Sequence, residues 1–231
     1  MTLEEFENKI NLNFKNKDIL KQAFIHRSYI NENPRTNLHH NERLEFLGDA
    51  VLELVVTDFL YSKYKNHNEG DLTSYRSALV NAVTLSEVAN ELSFNDLIML
   101  SKGEAKDLSR ARSSILADAY EACVGAIYLD LGYEKARDFI SDNLLIKTED
   151  IIKKGLYKDA KSFVQEKSQE KFGVTPSYKI ISEEGPDHDK IFTVAICFGS
   201  DVIAEGEGKS KQEAETSAAR NALIKKGWVP K

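Results

Sequence analysis

Residues 41–52, Asn-Glu-Arg-Leu-Glu-Phe-Leu-Gly-Asp-Ala-Val-Leu, constrain the fold of this chain more than any other stretch. On a helix, Glu42, Glu45, Asp49 and the following Glu53 fall within roughly 80° of one another on an otherwise apolar segment. No Lys or Arg lies one turn away on that stripe, and like charges at such spacings repel. A second pair, Asp118 and Glu121, interrupts residues 115–129, which are apolar or small on nearly every face and predict a buried helix. Carboxylates in such a setting need partners, and a divalent cation is one. Two readings stay open at this point. The stripe is either the solvated edge of an amphipathic helix or half of a metal site, and Asp118 and Glu121 are satisfied either by an Arg such as Arg76 or Arg112 or by an ion. If the two acidic helices pack side by side, their carboxylates converge into the all-oxygen ligand set that Mg²⁺ or Mn²⁺ prefers.

Four further segments stand in order around these helices: His-Arg-Ser-Tyr at 26–29, residues 70–81, Lys-Gly-Glu at 102–104, and residues 115–122. Together with residues 41–52 they resemble the ribonuclease III family, and the C-terminal third resembles that family's double-stranded-RNA-binding domain. The resemblance implies an all-α N-terminal endonuclease domain over residues 1–150. An α-β-β-β-α RNA-binding domain follows over 157–227. It further implies Mg²⁺, replaceable by Mn²⁺, on Glu45, Asp49, Asp118 and Glu121, with Asp49 and Glu121 catalytic. Glu42 would be auxiliary, for a second ion or for positioning substrate. Glu69 and Glu104 also match family acids, though each stands alone in its segment.

The implied activity is hydrolysis of double-stranded RNA to 5′-phosphate and 3′-hydroxyl ends with short 3′ overhangs, serving rRNA, mRNA and small-RNA precursor processing. The implied assembly is a homodimer through the N-terminal domain. Phe46, Leu47 and Val51 are candidates for the core or for that dimer contact. Two other classes compete: a catalytically silent RNA binder, which would have lost site acids, and a helical nucleotide pyrophosphatase, which has no use for the C-terminal domain.

Periodicity predicts helices over 5–29, 41–63, 72–92, 111–129 and 134–145, with no alternating strand before residue 150. Residues 148–157, charged and holding Gly155, are the candidate boundary. Beyond it a helix is expected over 158–172, strands over 177–183, 190–198 and 201–207, and a closing helix from Lys211 to about Lys226. Ser210 with Glu213 three residues on is a capping-box pattern that fixes that last start. A helix N-terminus attracts anions, and Lys209 and Lys211 flank this one. By the resemblance, Lys209, Ser210 and Lys211 would contact phosphates, Pro186 and His188 would enter one minor groove, and Gln165 and Glu166 another. Gln212 departs from the pattern, in which Lys or Arg is common, and predicts weaker, less salt-sensitive RNA binding.

The formal charge of −6 argues against a generic nucleic-acid binder. Residues 157–231 carry 12 Lys/Arg and 12 Asp/Glu, so the deficit lies in residues 1–156, with 19 basic and 25 acidic side chains. That imbalance is consistent with carboxylates holding metal ions. The absence of a long apolar run or signal-like N-terminus predicts a cytoplasmic protein with no membrane partner. Cys123 and Cys197 lie in different domains within apolar runs and read as packed free thiols. Gly48, in mid-helix, costs about 1 kcal/mol relative to Ala and predicts close packing against another backbone or against the RNA, with an ordinary core contact as the plain alternative. His39 and His40 read as loop residues, and Tyr157 and Trp228 as packing residues of the second domain.

Overall fold

The computed structural model describes residues 1–106, 110–153, 160–186 and 190–228. The chain divides into two compact units, Met1–Ile151 and Ile152–Lys231. Tyr157, proposed above as a packing residue, lies outside the described residues.

The first unit is helical: α1 (Leu3–Lys9), α2 (Lys17–Ala23), α3 (Arg27–Glu32), α4 (Glu42–Lys63), α5 (Glu69–Leu79), α6 (Ala82–Glu91), α7 (Arg110–Leu131) and α8 (Tyr133–Asn143). The short α9 (Thr148–Lys153) ends the run. Two predicted helices are subdivided. The stretch 5–29 becomes α1, α2 and α3 because Asn11 turns left-handed at φ 51° and Asn16 starts a new helix by accepting the Asp18 amide. The stretch 72–92 becomes α5 and α6, with Asn81 capping the Thr84 amide, and Asn68 moves the first start back to Glu69 by capping Asp71. The start of α3 is capped by His26, which accepts the Ser28 amide, and hydrophobic periodicity does not register any of these polar caps.

Helix α7 is the buried axis expected of it: Leu116, Ala119, Tyr120, Ala122, Cys123, Val124, Ala126 and Ile127 are all enclosed. Phe6, Phe24 and Phe94 pack edge to face, with centroids 4.9–5.5 Å apart, and Tyr120 joins them and stacks on Phe139. At its C-terminal end Asp130 accepts the amides of Lys15 (2.6 Å) and Asn16 (3.1 Å), which moors α7 to the start of α2.

Helices α4 and α7 cross at backbone distance. A Cβ on Gly48 would stand 1.8 Å from the Glu121 carbonyl oxygen, and one on Gly125 would stand 2.2 Å from that of Leu44. The expected close approach at Gly48 is therefore to α7, and Gly125 is its reciprocal partner.

The second unit consists of α10 (Ala160–Phe172), β1 (Pro176–Glu184), β2 (Ile191–Phe198), β3 (Asp201–Gly208) and α11 (Lys211–Lys225). The strands form an antiparallel β1-β2-β3 sheet, in register at Tyr178↔Ile196 and Ile196↔Ala204. A register shift between Ile180 and Ser182 gives β1 one extra residue. The core joins Val164 of α10, Ile196, Phe198 and Ile203 of the sheet, and Ala218, Ala219, Ala222 and Leu223 of α11. The alanines let α11 lie close to the strands. Trp228 stacks on Phe198 at 5.8 Å and 9°, the packing role expected of it. Cys123 and Cys197 are buried free thiols, one in each unit. Among the described residues no helix is long and apolar enough to cross a membrane.

Candidate active site and nucleic-acid interface

The Gly48–Gly125 crossing brings the acids of α4 and α7 together. Glu45, Asp118 and Glu121 each turn a carboxylate oxygen into one space, all within 4.8 Å of one another. The i, i+3 spacing puts Asp118 and Glu121 on one face of α7, facing α4. All three are half-buried, and none has a Lys or Arg in ion-pairing distance among the described residues.

Titration reflects that confinement. Burial pushes the Glu121 carboxyl up to about 8, reinforced by Asp49, Asp118, Glu45 and Glu53. Glu45 is raised by burial and then by Asp118, Glu42 and Asp49, and Asp118 by burial and then Glu42. Asp49 itself is exposed and stands outside the converging trio, yet its charge is the strongest acting on Glu121 after burial. Such a group resists full ionisation unless positive charge arrives. An all-oxygen, anionic and uncompensated donor set of this size fits a hard divalent cation.

The alternative partners are engaged elsewhere. Arg76 Nε lies 3.1 Å from Glu53 and its guanidinium also donates to Thr57, while Arg112 donates to Asn95. Arginine neutralisation of Asp118 and Glu121 is thus replaced by an unpaired arrangement among the described residues. The expectation that nothing neutralises the α4 stripe needs a matching correction. Glu53 has Arg76 from α5, and Glu42 has Arg27 from α3 at 3.5 Å and His40 Nδ1 at 3.7 Å. The two arginines come from α3 and α5, so no search along α4 finds them. His40 lies in a loop, as expected, with its ring against Glu42.

Glu104 is half-buried on a segment tied to residues 23–28. The Met99 amide donates to the Phe24 carbonyl, the His26 amide to the Met99 carbonyl, and the Ser101 amide to Ser28 Oγ. The start of α4 is tied to the same stretch, because Asn41 donates through its amide to Ile25 and through Nδ2 to Ala23. His26 caps α3 and is lowered by burial, against the opposing pull of Glu104 and Glu42. Glu104 and Glu42 therefore border one histidine at the rim of the site. Glu69 accepts the Thr73 hydroxyl at 3.0 Å and stands outside the converging trio. It borders a cleft of about 440 Å³ with Thr57, Tyr61, His67 and Arg76. Of these neighbours, Arg27 and His26 had no role in the sequence reading although they lie in the 26–29 segment.

Phe46 is 82% exposed, Leu47 half-buried and Val51 buried, so these three neighbours on α4 divide between surface and core. In the second unit the Ser210 hydroxyl accepts the Glu213 amide at 3.2 Å, while the Glu213 carboxylate reaches the Lys209 amide at 3.1 Å. The returning half of the expected capping box thus goes to the amide of Lys209, the residue before the cap. Lys211 follows the cap, with its Nζ 3.1 Å from Glu183. Gln165 and Glu166 are exposed on α10, and Pro186 is exposed after β1. His188 lies outside the described residues.

Comparison with known proteins agrees with this architecture. The family described as Ribonuclease-III-like matches residues 16–148, and the double-stranded RNA binding motif matches residues 160–226. Ribonuclease 3 of Borreliella burgdorferi is 44% identical over 96% of this chain and 90% of its own length. Ribonuclease 3 of Bacillus velezensis is 42% identical over 96% and 89%. The solved nuclease domain of ribonuclease III from Campylobacter jejuni is 40% identical, with a TM-score of 0.55, over 62% of this chain and 98% of that domain. With a helical unit and an α-β-β-β-α unit each matched in turn, and near full-length relatives at this identity, the chain belongs to the ribonuclease III family of endoribonucleases.

Proposed function

We infer that this chain hydrolyses phosphodiester bonds of double-stranded RNA with a divalent cation, Mg²⁺ or in its place Mn²⁺, leaving 5′-phosphate and 3′-hydroxyl ends. The observation that carries the reading is the convergence of Glu45, Asp118 and Glu121 without a cationic side chain to balance them. These three, with Asp49 beside Glu121, would hold the ion. When bound, it would neutralise the phosphodiester's charge, lower the pKa of attacking water and stabilise the leaving 3′-oxygen. The chain's own contribution is to fix that ligand set in place. Main-chain contact between α4 and α7 sets the spacing of Glu45 from Glu121, and half-burial strengthens every charge in the pocket. Asp49 and Glu121 are assigned as catalytic and Glu42 as auxiliary, with Glu69 and Glu104 as outer acids. Arg27, 3.5 Å away, holds Glu42 at the rim.

The second domain would recognise A-form geometry, in which a shallow minor groove displays 2′-hydroxyls and phosphates flank a deep major groove. Lys209, Ser210 and Lys211 are the assigned phosphate contacts. Gln165, Glu166, Pro186 and His188 are the assigned groove contacts. Boundaries of 1–150 and 157–227 are supported by the compact units and by the two family matches.

A homodimer through the N-terminal domain is supported by Phe46, Leu54 and Tyr61. They are 82%, 57% and 74% exposed and lie within about 80° on α4, beside the acid stripe. Processing of rRNA, mRNA and small-RNA precursors in the cytoplasm completes the reading.

The test is cleavage of a long, perfectly paired RNA in Mg²⁺ by wild type and Glu121→Ala, with a gel shift in Ca²⁺. Mg²⁺-dependent cutting that the variant loses while still binding is the expected result. A wild type that binds the duplex and never cuts it overturns the catalytic assignment in favour of a silent binder.

A further inference from the structure

The phosphate-facing start of α11 already holds an anion of the protein's own. Lys211 Nζ lies 3.1 Å from Glu183 Oε1, near the end of β1. It also stands over the Phe192 ring, 5.6 Å from the centroid. Phe192 is the register partner of Glu183 across β1 and β2, so ring and carboxylate form a two-part seat for one ammonium. The other oxygen of Glu183, Oε2, lies 3.9 Å from Lys190 Nζ at the entrance to β2. One carboxylate therefore sits between two lysines on the edge where RNA phosphates are expected.

We propose that Glu183 is a built-in competitor for RNA phosphate, holding Lys211 in an intramolecular ion pair that the duplex must displace. The proposal rests on the assignment of Lys209, Ser210 and Lys211 as phosphate contacts. A phosphate that approaches Lys211 meets a cation already partly neutralised and a carboxylate of its own sign. The salt dependence of binding falls as well. Phosphate contacts are salt-sensitive because counterions return to solution, and at Lys211 the exchange swaps one fixed anion for another. Glu183 thereby sets how tightly the domain grips a duplex, from a strand position that a survey of α11 alone overlooks.

The experiment measures affinity of the full chain for a long RNA duplex in Ca²⁺ across a salt series. It compares wild type, Glu183→Gln, Lys211→Gln, the double variant, and Glu184→Gln. Glu184 is the adjacent acid and has no ion pair among the described residues, so it reports the effect of removing one charge nearby. Glu183→Gln is expected to bind about two- to fivefold tighter, the range of an exposed ion pair, with a salt slope steeper by up to about one. Glu184→Gln should change little, and the gain from Glu183→Gln should shrink when Lys211 is already Gln.

Equal gains from the two acid variants, an undiminished gain in the double variant, or weaker binding by Glu183→Gln each overturn the proposal. If Lys211→Gln leaves affinity unchanged, the phosphate assignment itself fails. If Lys211→Gln weakens binding and Glu183→Gln does not strengthen it, the proposal alone falls. Glu183→Ala, with melting followed by circular dichroism, separates a binding change from a folding defect.

Discussion

A methyl group on Gly48 would stand 1.8 Å from the carbonyl oxygen of Glu121, the residue whose carboxylate completes the acid trio. Gly48→Ala gains about 1 kcal/mol of helix preference. It cannot be accommodated without separating α4 from α7, because the obstacle is main chain rather than the end of a flexible side chain. The net loss expected is about 2 kcal/mol, within the range for overpacked cores. Urea unfolding followed by circular dichroism reads it as a lower midpoint, and an unchanged midpoint refutes the welded crossing.

Ion-free protein should lose stability as pH rises. The folded Glu121 carboxyl, at about 8, holds its proton far above the unfolded value of 4.5. Between those values the unfolded chain binds fewer protons, so the slope of stability against pH is negative, and the penalty is complete above about 8. Glu121→Gln should flatten this slope and raise the melting temperature at pH 8 in EDTA. Added Mg²⁺ should raise the melting temperature of wild type more than that of the variant. A steeper slope for the variant, or equal Mg²⁺ shifts, would count against the site.

The exposed stripe on α4 gives a test of assembly that does not involve the acids. A charge at the centre of an apolar contact leaves that charge buried and unpaired, so Phe46→Asp should shift the protein from dimer to monomer at micromolar concentration. Sedimentation velocity distinguishes the two. A wild type that is monomeric throughout removes the basis for the stripe's role.

Gln212 is exposed in the first turn of α11, one residue beyond Lys211. Gln212→Lys should tighten duplex binding in Ca²⁺ and steepen the salt slope by roughly one contact's worth, about 0.9 by the B-DNA value. An identical slope would mean that no phosphate comes within reach of that position.

Much of the architecture could be read locally. The acid-bearing helices were expected at 41–63 and 111–129 and run Glu42–Lys63 and Arg110–Leu131. The strands agree to within a residue or two, and Ser210 fixes the start of α11 as its capping pattern predicts. Such features depend on neighbours in sequence. The breaks at Asn16 and Asn81 escaped because one capping side chain outweighs the apolar periodicity that runs through it. The partners of Glu42 and Glu53 escaped because Arg27 and Arg76 arrive from α3 and α5. The hold of Glu183 on Lys211 joins a strand to a helix 28 positions later, beyond any local pattern.

Asn41 and the Met99–Ser101 segment are both moored to residues 23–28, so two acids at the edge of the site share one anchor. Glu42 opens α4 directly after Asn41, and Glu104 stands three residues beyond Ser101. Glu45, Asp118 and Glu121 are set instead by the main-chain contact of α4 on α7. A substitution that displaces residues 23–28 therefore reaches both edge acids at once, while one at the glycine crossing reaches the trio.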